Sequence, residues 1–393
     1  LAGRRRAGRP ERRTGQLRRA VQPARLMAMS FEFRCVSCGA TQPARISDLA
    51  CDSCGSVLDV AYDEPSDGYS PRLPLSRVSE RISLGEGATP LVALPGIAAA
   101  LGIRRLWAKL EMMAPTGSFK DRGSAVLVSA ALEAGVSEFV EDSSGNAGAS
   151  LSAYAAAAGI TAHVFFPDSA AQGKVDQIGI FGAALHPTPG PRQAATDAAV
   201  AYVAEHSLPY LSHNLSPYFL EGMKSFSYEV VGSDAAVVTD IVVPVGNGSL
   251  LIGLFKGFEE LQASERIDAT PRLRAVQAEP VQPLVAALND EEWTFNPDLK
   301  TVASGISVSH PPRLEQCVSV VKLSDGSGIA VDDGAMLRWQ CRLSYEAGIF
   351  CEATSAAAFA GLEAMIARGD ISRDAQVLMP ITGSGLKEPL ARG

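Results

Sequence analysis

Residues 240–253 read Asp240-Ile-Val-Val-Pro-Val-Gly246-Asn-Gly-Ser-Leu-Leu-Ile-Gly253, an apolar run that ends on a glycine-rich turn and continues into a helical pattern. A strand that passes through glycines straight into a helix is one βα step of a parallel sheet. Such a sheet is covered by helices on both faces, so its strands read as unbroken apolar runs. Consecutive amides at the turn can wrap an anion such as a phosphate, because glycine puts no Cβ in the way. The spacing is neither a G-x-G-x-x-G dinucleotide motif nor a P-loop, since no Gly-Lys-Ser/Thr follows. A phosphate cradle and a plain strand-to-helix turn both fit this segment taken alone.

Outward from this segment the same alternation continues. Helical periodicity is plain over residues 122–134, 147–158, 192–206 and 353–367. Strand-like runs fall at Phe139–Glu141, Ala162–Phe166, Asp240–Val245, Leu273–Gln277 and Gln376–Ile381. The expected class is therefore α/β, with parallel sheets flanked by helices. The 393 residues are enough for two or three folding units and a cleft between them. Ligands of such folds sit beyond the carboxyl ends of the strands.

Three more turns occupy such places. Pro115-Thr-Gly-Ser-Phe-Lys-Asp-Arg-Gly123 sets Lys120 at a Gly/Ser turn opening a helix; a lone lysine there reads as readily as a solvated surface charge. Ser143-Ser-Gly-Asn-Ala-Gly148 follows a strand and opens an Ala-rich helix. Its amides and the helix dipole suit a carboxylate, although a capping serine before a glycine turn looks the same. Gln376-Val-Leu-Met-Pro-Ile-Thr382-Gly-Ser-Gly-Leu-Lys387 ends another strand in a hydroxyl residue and glycines.

Hydrophobic residues at 47% and charged residues at 20% describe a core-forming chain rather than a disordered one. The net charge of −8 hides an asymmetry: residues 1–29 hold nine arginines and a single acid, Glu11, which leaves the body distinctly acidic. An acidic body repels nucleic acid and anionic membranes, so an anionic ligand must be held by local donors in a pocket. The basic 1–30 tail reads as a disordered arm, a targeting peptide, or residues upstream of a natural start at Met27 or Met29. No apolar run approaches the ~20 residues of a membrane span, and a cytoplasmic location is expected.

Cys35-x-x-Cys38 and Cys51-x-x-Cys54, each followed by a glycine, have the spacing of a zinc ribbon over residues 31–62. Two disulfides and a ribbon without metal are the alternatives. Four thiolates leave no open coordination position, so the expected zinc is structural. Cys317, Cys341 and Cys351 read as small buried hydrophobes. His163, His186 and His206 show no partner pattern.

After a Pro- and Ser-containing linker (64–76), the order GEGATP (85–90), PTGSFKDRG (115–123), SSGNAGAS (143–150), LEGMKSF (220–226), VPVGNGS (243–249), EAGIFCEATSAAA (346–358) and TGSGLK (382–387) resembles threonine synthase and its fold-type II (tryptophan synthase β-type) relatives. The resemblance spans the catalytic body, and the cysteine ribbon also matches it. It implies a two-domain pyridoxal 5'-phosphate enzyme. Residues 63–235 would contain the smaller α/β domain (about 115–225), and 236–393 would form the larger cofactor-binding one. The implied protein is a homodimer that takes a small amino-acid substrate, without nucleic-acid or membrane partners.

By the same resemblance Lys120 would hold the cofactor covalently and Asn146 would bind its 3′-oxygen. Gly246, Asn247, Gly248, Ser249 and Leu250 would hold the phosphate, Thr382 would face the pyridine nitrogen and Phe119 would lie beside the ring. Ser143, Ser144 and Ala147 would receive the substrate carboxylate. A neutral hydroxyl at the pyridine nitrogen makes the ring a weaker electron sink, which favours elimination or replacement over racemisation.

The implied reaction is that of a carbon–oxygen lyase converting O-phospho-L-homoserine and water to L-threonine and phosphate. One departure from the family pattern bears on it: Phe219 stands just before the LEG segment, where these enzymes usually carry an arginine for the substrate phosphate. His213 with Asn214, and Arg313, are the local candidates to compensate. The alternatives are an ammonia-lyase or β-replacement enzyme on an unphosphorylated amino acid, and a binding protein without turnover.

Overall fold

The computed structural model describes residues 31–388; the arginine-rich tail and every reading placed on it lie outside that range. Three strands, β1 (Phe31–Cys35), β2 (Thr41–Pro43) and β3 (Leu58–Tyr62), form an antiparallel ribbon in the order β2-β1-β3. The body begins with β4 (Leu91–Ala93), α1 (Pro95–Leu101), β5 (Arg105–Lys109), α2 (Lys120–Glu133), β6 (Glu138–Glu141), α3 (Asn146–Ala158), β7 (Thr161–Pro167), α4 (Gln172–Ile180), β8 (Ala184–Thr188) and α5 (Arg192–His206). It continues through α6 (Pro217–Met223), α7 (Ser225–Val231), β9 (Asp240–Pro244), α8 (Ser249–Ala263), β10 (Arg272–Ala278), α9 (Pro283–Leu288), α10 (Leu314–Leu323), β11 (Ser327–Val331), α11 (Asp333–Ala347), α12 (Ala353–Arg368) and β12 (Gln376–Pro380).

The body has two sheets. The larger runs β11-β10-β9-β12-β5-β4, parallel except for the β4–β5 pair, and the smaller is parallel β6-β7-β8. Side chains alternate across each strand, and both faces of the large sheet are apolar. Ile241, Val243, Leu273, Ala275 and Leu378 pack into one core, whereas Val242, Val276, Val377 and Met379 pack into a second with α1, α11 and α12. That two-sided burial is why residues 240–245 carry no polar alternation.

The large sheet draws β4 and β5 from upstream of the small sheet, through pairing of β5 with β12. A cut of the body near residue 235 therefore does not separate the two sheets. The ribbon shares the body's core. Phe33 and Leu58 belong to the same apolar cluster as α8, and the Phe33 ring meets Tyr218 edge-on at 5.4 Å. Charges join them further: Lys256 on α8 pairs with Asp59 on β3 and with Glu221 at 2.5 Å.

Cys317 and Cys351 are buried as expected, but Cys341 is exposed, on the solvent side of α11. The three histidines without a sequence pattern meet in space on the small sheet. His163 contacts His186 at 3.2 Å and Glu138 at 2.9 Å, and the Tyr202 ring lies tilted against His206 at 4.0 Å between ring centres. No described helix is long and apolar enough to cross a membrane.

Candidate active site

A cavity of about 460 Å³ opens between the two sheets, at the carboxyl ends of their strands. Lys120, Ser143, Ser144, Asn146, Ala147 and His213 border it from the small-sheet side, and Gly246–Leu250 and Thr382 from the large-sheet side, with Phe119 beside Lys120. Asn214 and Arg313 do not line it.

Lys120 is the first residue of α2, and its position is fixed by its two neighbours in sequence. Asp121 accepts hydrogen bonds from the Thr116 amide (2.7 Å) and from Ser150 on α3 (2.6 Å). Arg122 is bidentate to Glu111 (2.7 and 2.8 Å) and to Glu229 (2.6 and 2.9 Å). Glu229 is correspondingly lowered to about 2, against the penalty of its burial, by the Arg122 and Lys109 charges. Planar, fully paired contacts of this kind are the strong class of ion pair. The turn before Lys120 is tied to the Thr382 loop: the Phe119 amide donates to Thr382 O (3.1 Å) and the Ser384 amide to Gly117 O (3.0 Å). Burial pushes the Lys120 ammonium down to about 8, against the opposing pull of Glu141 and Glu352.

The glycine turn lies across the cavity. Gly248 has φ +86°, a left-handed conformation that favours glycine, and leads into the 15-residue α8. A Cβ on Gly248 would stand 2.1 Å from Cys317 Sγ, and one on Gly246 would stand 2.8 Å from Gly305 O. Buried Gln277 anchors the strand end by donating to Val245 O (3.1 Å) and accepting from the amides of Leu284 and Val285. The first amides of α8 have no acceptors of their own within the helix and sit at its positive end.

Thr382 Oγ1 shares a 2.9 Å hydrogen bond with Ser355 Oγ, which also accepts from the Gly383 amide at 3.1 Å. Asn146 opens α3; its Nδ2 donates to both carboxylate oxygens of Glu352 (3.2 and 3.0 Å), and its Oδ1 is buried without a partner among the described residues. Glu352 is raised by burial. His213 Nδ1 pairs with Glu141, and burial drives both toward their uncharged forms, the histidine down and the glutamate up.

Arg313 is a structural clamp. It donates to Asn214 O (3.1 Å), Leu215 O (2.6 Å) and Leu58 O (2.9 Å), joining the ribbon to the loop before α6, and burial pushes it down to about 10. Phe219 is wholly buried, with its ring centre 6.0 Å from Lys120 Nζ and in edge contact with His213. The sequence reading gave no role to Lys174, Arg192 or Glu352, all of which border the cavity. Nothing local marks them. Glu352 lies within the quoted EAGIFCEATSAAA segment and Arg192 opens α5 after Gly190-Pro191, but neither position by itself names a ligand, and Lys174 sits inside α4.

A lysine opening a helix and facing a glycine turn across a cleft between two parallel sheets is the arrangement of a fold-type II pyridoxal-phosphate enzyme. Residues 82–383 match the family described as pyridoxal-phosphate dependent enzyme. The threonine synthases of Methanocaldococcus jannaschii and Methanosarcina acetivorans are each 34% identical to this chain, over 91% of it and 93% of their own lengths. The chain belongs to the threonine synthase family of pyridoxal-phosphate-dependent enzymes. Among solved structures, maize serine racemase superposes with a TM-score of 0.66 (19% identity, 77% of this chain and 91% of that one). Threonine deaminase isoform 2 from Solanum lycopersicum gives 0.65 (17% identity, 75% and 79%). These two share the fold alone.

The residues fit the cofactor. An enclosed amine of lowered pKa, an orphaned buried amide oxygen, a glycine turn at a helix N-terminus and a neutral hydroxyl all border one cavity. The ribbon sulfurs also fit a metal: all four lie within 4.8 Å of one another, with Cys35–Cys54 at 3.4 Å and Cys38–Cys51 at 3.7 Å. A tetrahedron with ~2.3 Å Zn–S bonds has edges of roughly 3.8 Å.

Proposed function

We propose that this protein converts O-phospho-L-homoserine and water to L-threonine and phosphate. The observation that carries the reading is the lowered-pKa amine of Lys120 facing the Gly246–Leu250 turn across a single cavity, in a chain of the threonine synthase family.

Bound pyridoxal phosphate supplies an aldehyde that condenses with amines and a ring that accepts the electron pair released at Cα. The amides of Gly246–Leu250 and the positive end of α8 hold its phosphate. Thr382 offers the pyridine nitrogen a neutral hydroxyl and no carboxylate. Asn146 serves the 3′-oxygen once its amide turns over: a protonated Glu352 can donate to Oδ1, which frees Nδ2 to donate into the cavity.

The α-carboxylate docks on the free amides at the start of α3, beside Ser143, Ser144 and Ala147. Lys120 Nζ, whose neutral form burial makes more accessible, removes the Cα proton and then one from Cβ. Phosphate leaves from Cγ, water adds at Cβ, and Lys120 returns protons to Cγ and Cα.

Incubation of the holoenzyme with O-phospho-L-homoserine should release phosphate and threonine in equal amounts. Ammonia from threonine or serine with no phosphate from the phosphorylated substrate sinks this reading in favour of an ammonia-lyase. Buried Phe219, an apolar ring close to Lys120, is the observation that favours the second reading.

For the ribbon, we propose a structural zinc held by Cys35, Cys38, Cys51 and Cys54. Metal analysis should find one zinc per chain, and the Cys51→Ser protein should lose both the metal and thermal stability. A metal-free wild type that melts at the same temperature would rule it out.

A further inference from the structure

We propose that Arg192 is the residue that selects substrates with an anionic group at the far end of the side chain. This deepens the reading given above and rests on it, since that substrate carries a phosphate on Cγ. A phosphate in a partly enclosed cleft needs a charged partner.

Among the described residues that line the cavity, only Lys120, Lys174 and Arg192 carry a cationic side chain, because burial keeps His213 neutral. Lys120 serves the cofactor. Lys174 is already engaged by carboxylates: its Nζ lies 2.6 Å from Glu388 and 3.8 Å from Glu352, and it donates to Ser304 at 3.2 Å. Those contacts bridge α4 to the large-sheet side and offset its charge.

Arg192 differs. It opens α5 with a half-exposed side chain, and only its Nη2 is engaged, on the carbonyl oxygen of Asp142 and on Asp142 Oδ2 (3.1 Å). Nε and Nη1 have no acceptor among the described residues. Asp142 is itself held by Thr196 and Tyr210 and directly precedes Ser143. The guanidinium is thus indexed to the turn that receives the substrate carboxylate, with one edge fixed and the other free to meet an oxyanion. Phe219, just before the LEG segment, is buried and presents an apolar ring toward Lys120 and His213, so α6 offers no cation there. The cation that meets the distal anion is carried by α5.

The test is binding to the holoenzyme, read from the cofactor's absorbance. Two unreactive ligands are compared: 2-amino-5-phosphonopentanoate, in which a methylene replaces the ester oxygen, and norvaline, which has the same carbon chain without the phosphonate. Wild type should prefer the phosphonate by on the order of 30-fold, and Arg192→Gln should reduce that preference to a few-fold. Norvaline affinity and the unliganded spectrum should stay the same, which shows that the site is intact, and Arg192→Lys should fall between. Retention of the preference in Arg192→Gln overturns the proposal, with its loss in Lys174→Met then assigning the role to Lys174, and so does a wild type with no preference. Turnover of O-phospho-L-homoserine by wild type is scored separately, so failure of the reaction assignment and failure of the Arg192 assignment give different results.

Discussion

Lys120→Ala should abolish the visible absorbance of the holoenzyme near ~420 nm and lower turnover by on the order of 10³-fold or more, because both the covalent link and the proton-transferring base are lost. Cofactor should still enter, held through its phosphate, and be removable by dialysis. The lowered pKa adds a second expectation. The attacking species in cofactor loading is the neutral amine, so the rate at which apoenzyme takes up cofactor should rise with pH until the amine's pKa is passed. With that pKa at about 8, the rate should increase up to about pH 8 and then level off. An unperturbed lysine, near ~10.4, would still be climbing two units higher. A visible band that survives in Lys120→Ala would show that another amine holds the cofactor and would sink the assignment.

Gly248→Ala should weaken cofactor binding by on the order of 10²-fold, read by titrating apoenzyme with pyridoxal phosphate. Two costs combine: about 1–2 kcal/mol for an alanine in the left-handed region, and about 1–3 kcal/mol for displacing a packed neighbour, or about two decades in affinity. The neighbour is identifiable. The new Cβ would meet Cys317 Sγ at 2.1 Å, whereas Cys317 Cβ is 3.8 Å away. Adding Cys317→Ala should therefore recover roughly tenfold of the loss by removing the clash while leaving the backbone strain. Wild-type affinity in Gly248→Ala would mean that the cofactor's phosphate is held elsewhere.

Much of this was legible in local pattern. The strands at 139–141, 162–166, 240–245, 273–277 and 376–381 and the helices after 120, 146, 192 and 353 lie where apolar periodicity places them. Strands buried on both faces and Ala-rich helices bounded by glycines leave little ambiguity. Lys120, Asn146, the 246–250 turn and Thr382 could be picked out because each ends or begins an element, where backbone groups lack partners. Arg313 lies away from the cavity for a reason that local sequence hides. Polar residues beside a Pro-Pro turn or on a loop after a strand look available for a ligand, yet Arg313 is consumed by three backbone carbonyls from two other segments.

What the chain's order of residues determined by itself is the set of βα steps, the four glycine- or serine-rich turns at their ends and the paired cysteines, because these follow from neighbours a few positions apart. Tertiary structure alone decided which turns converge. Phe119 is stitched to Thr382, Asn146 meets Glu352, and Arg122 clamps α2 to Glu111 and Glu229. It also decided that Lys174 and Arg192 reach the cavity, and that Phe219 stands behind it. Contacts between residues tens to hundreds of positions apart depend on how the two sheets pack across the cleft, and no local periodicity records that packing.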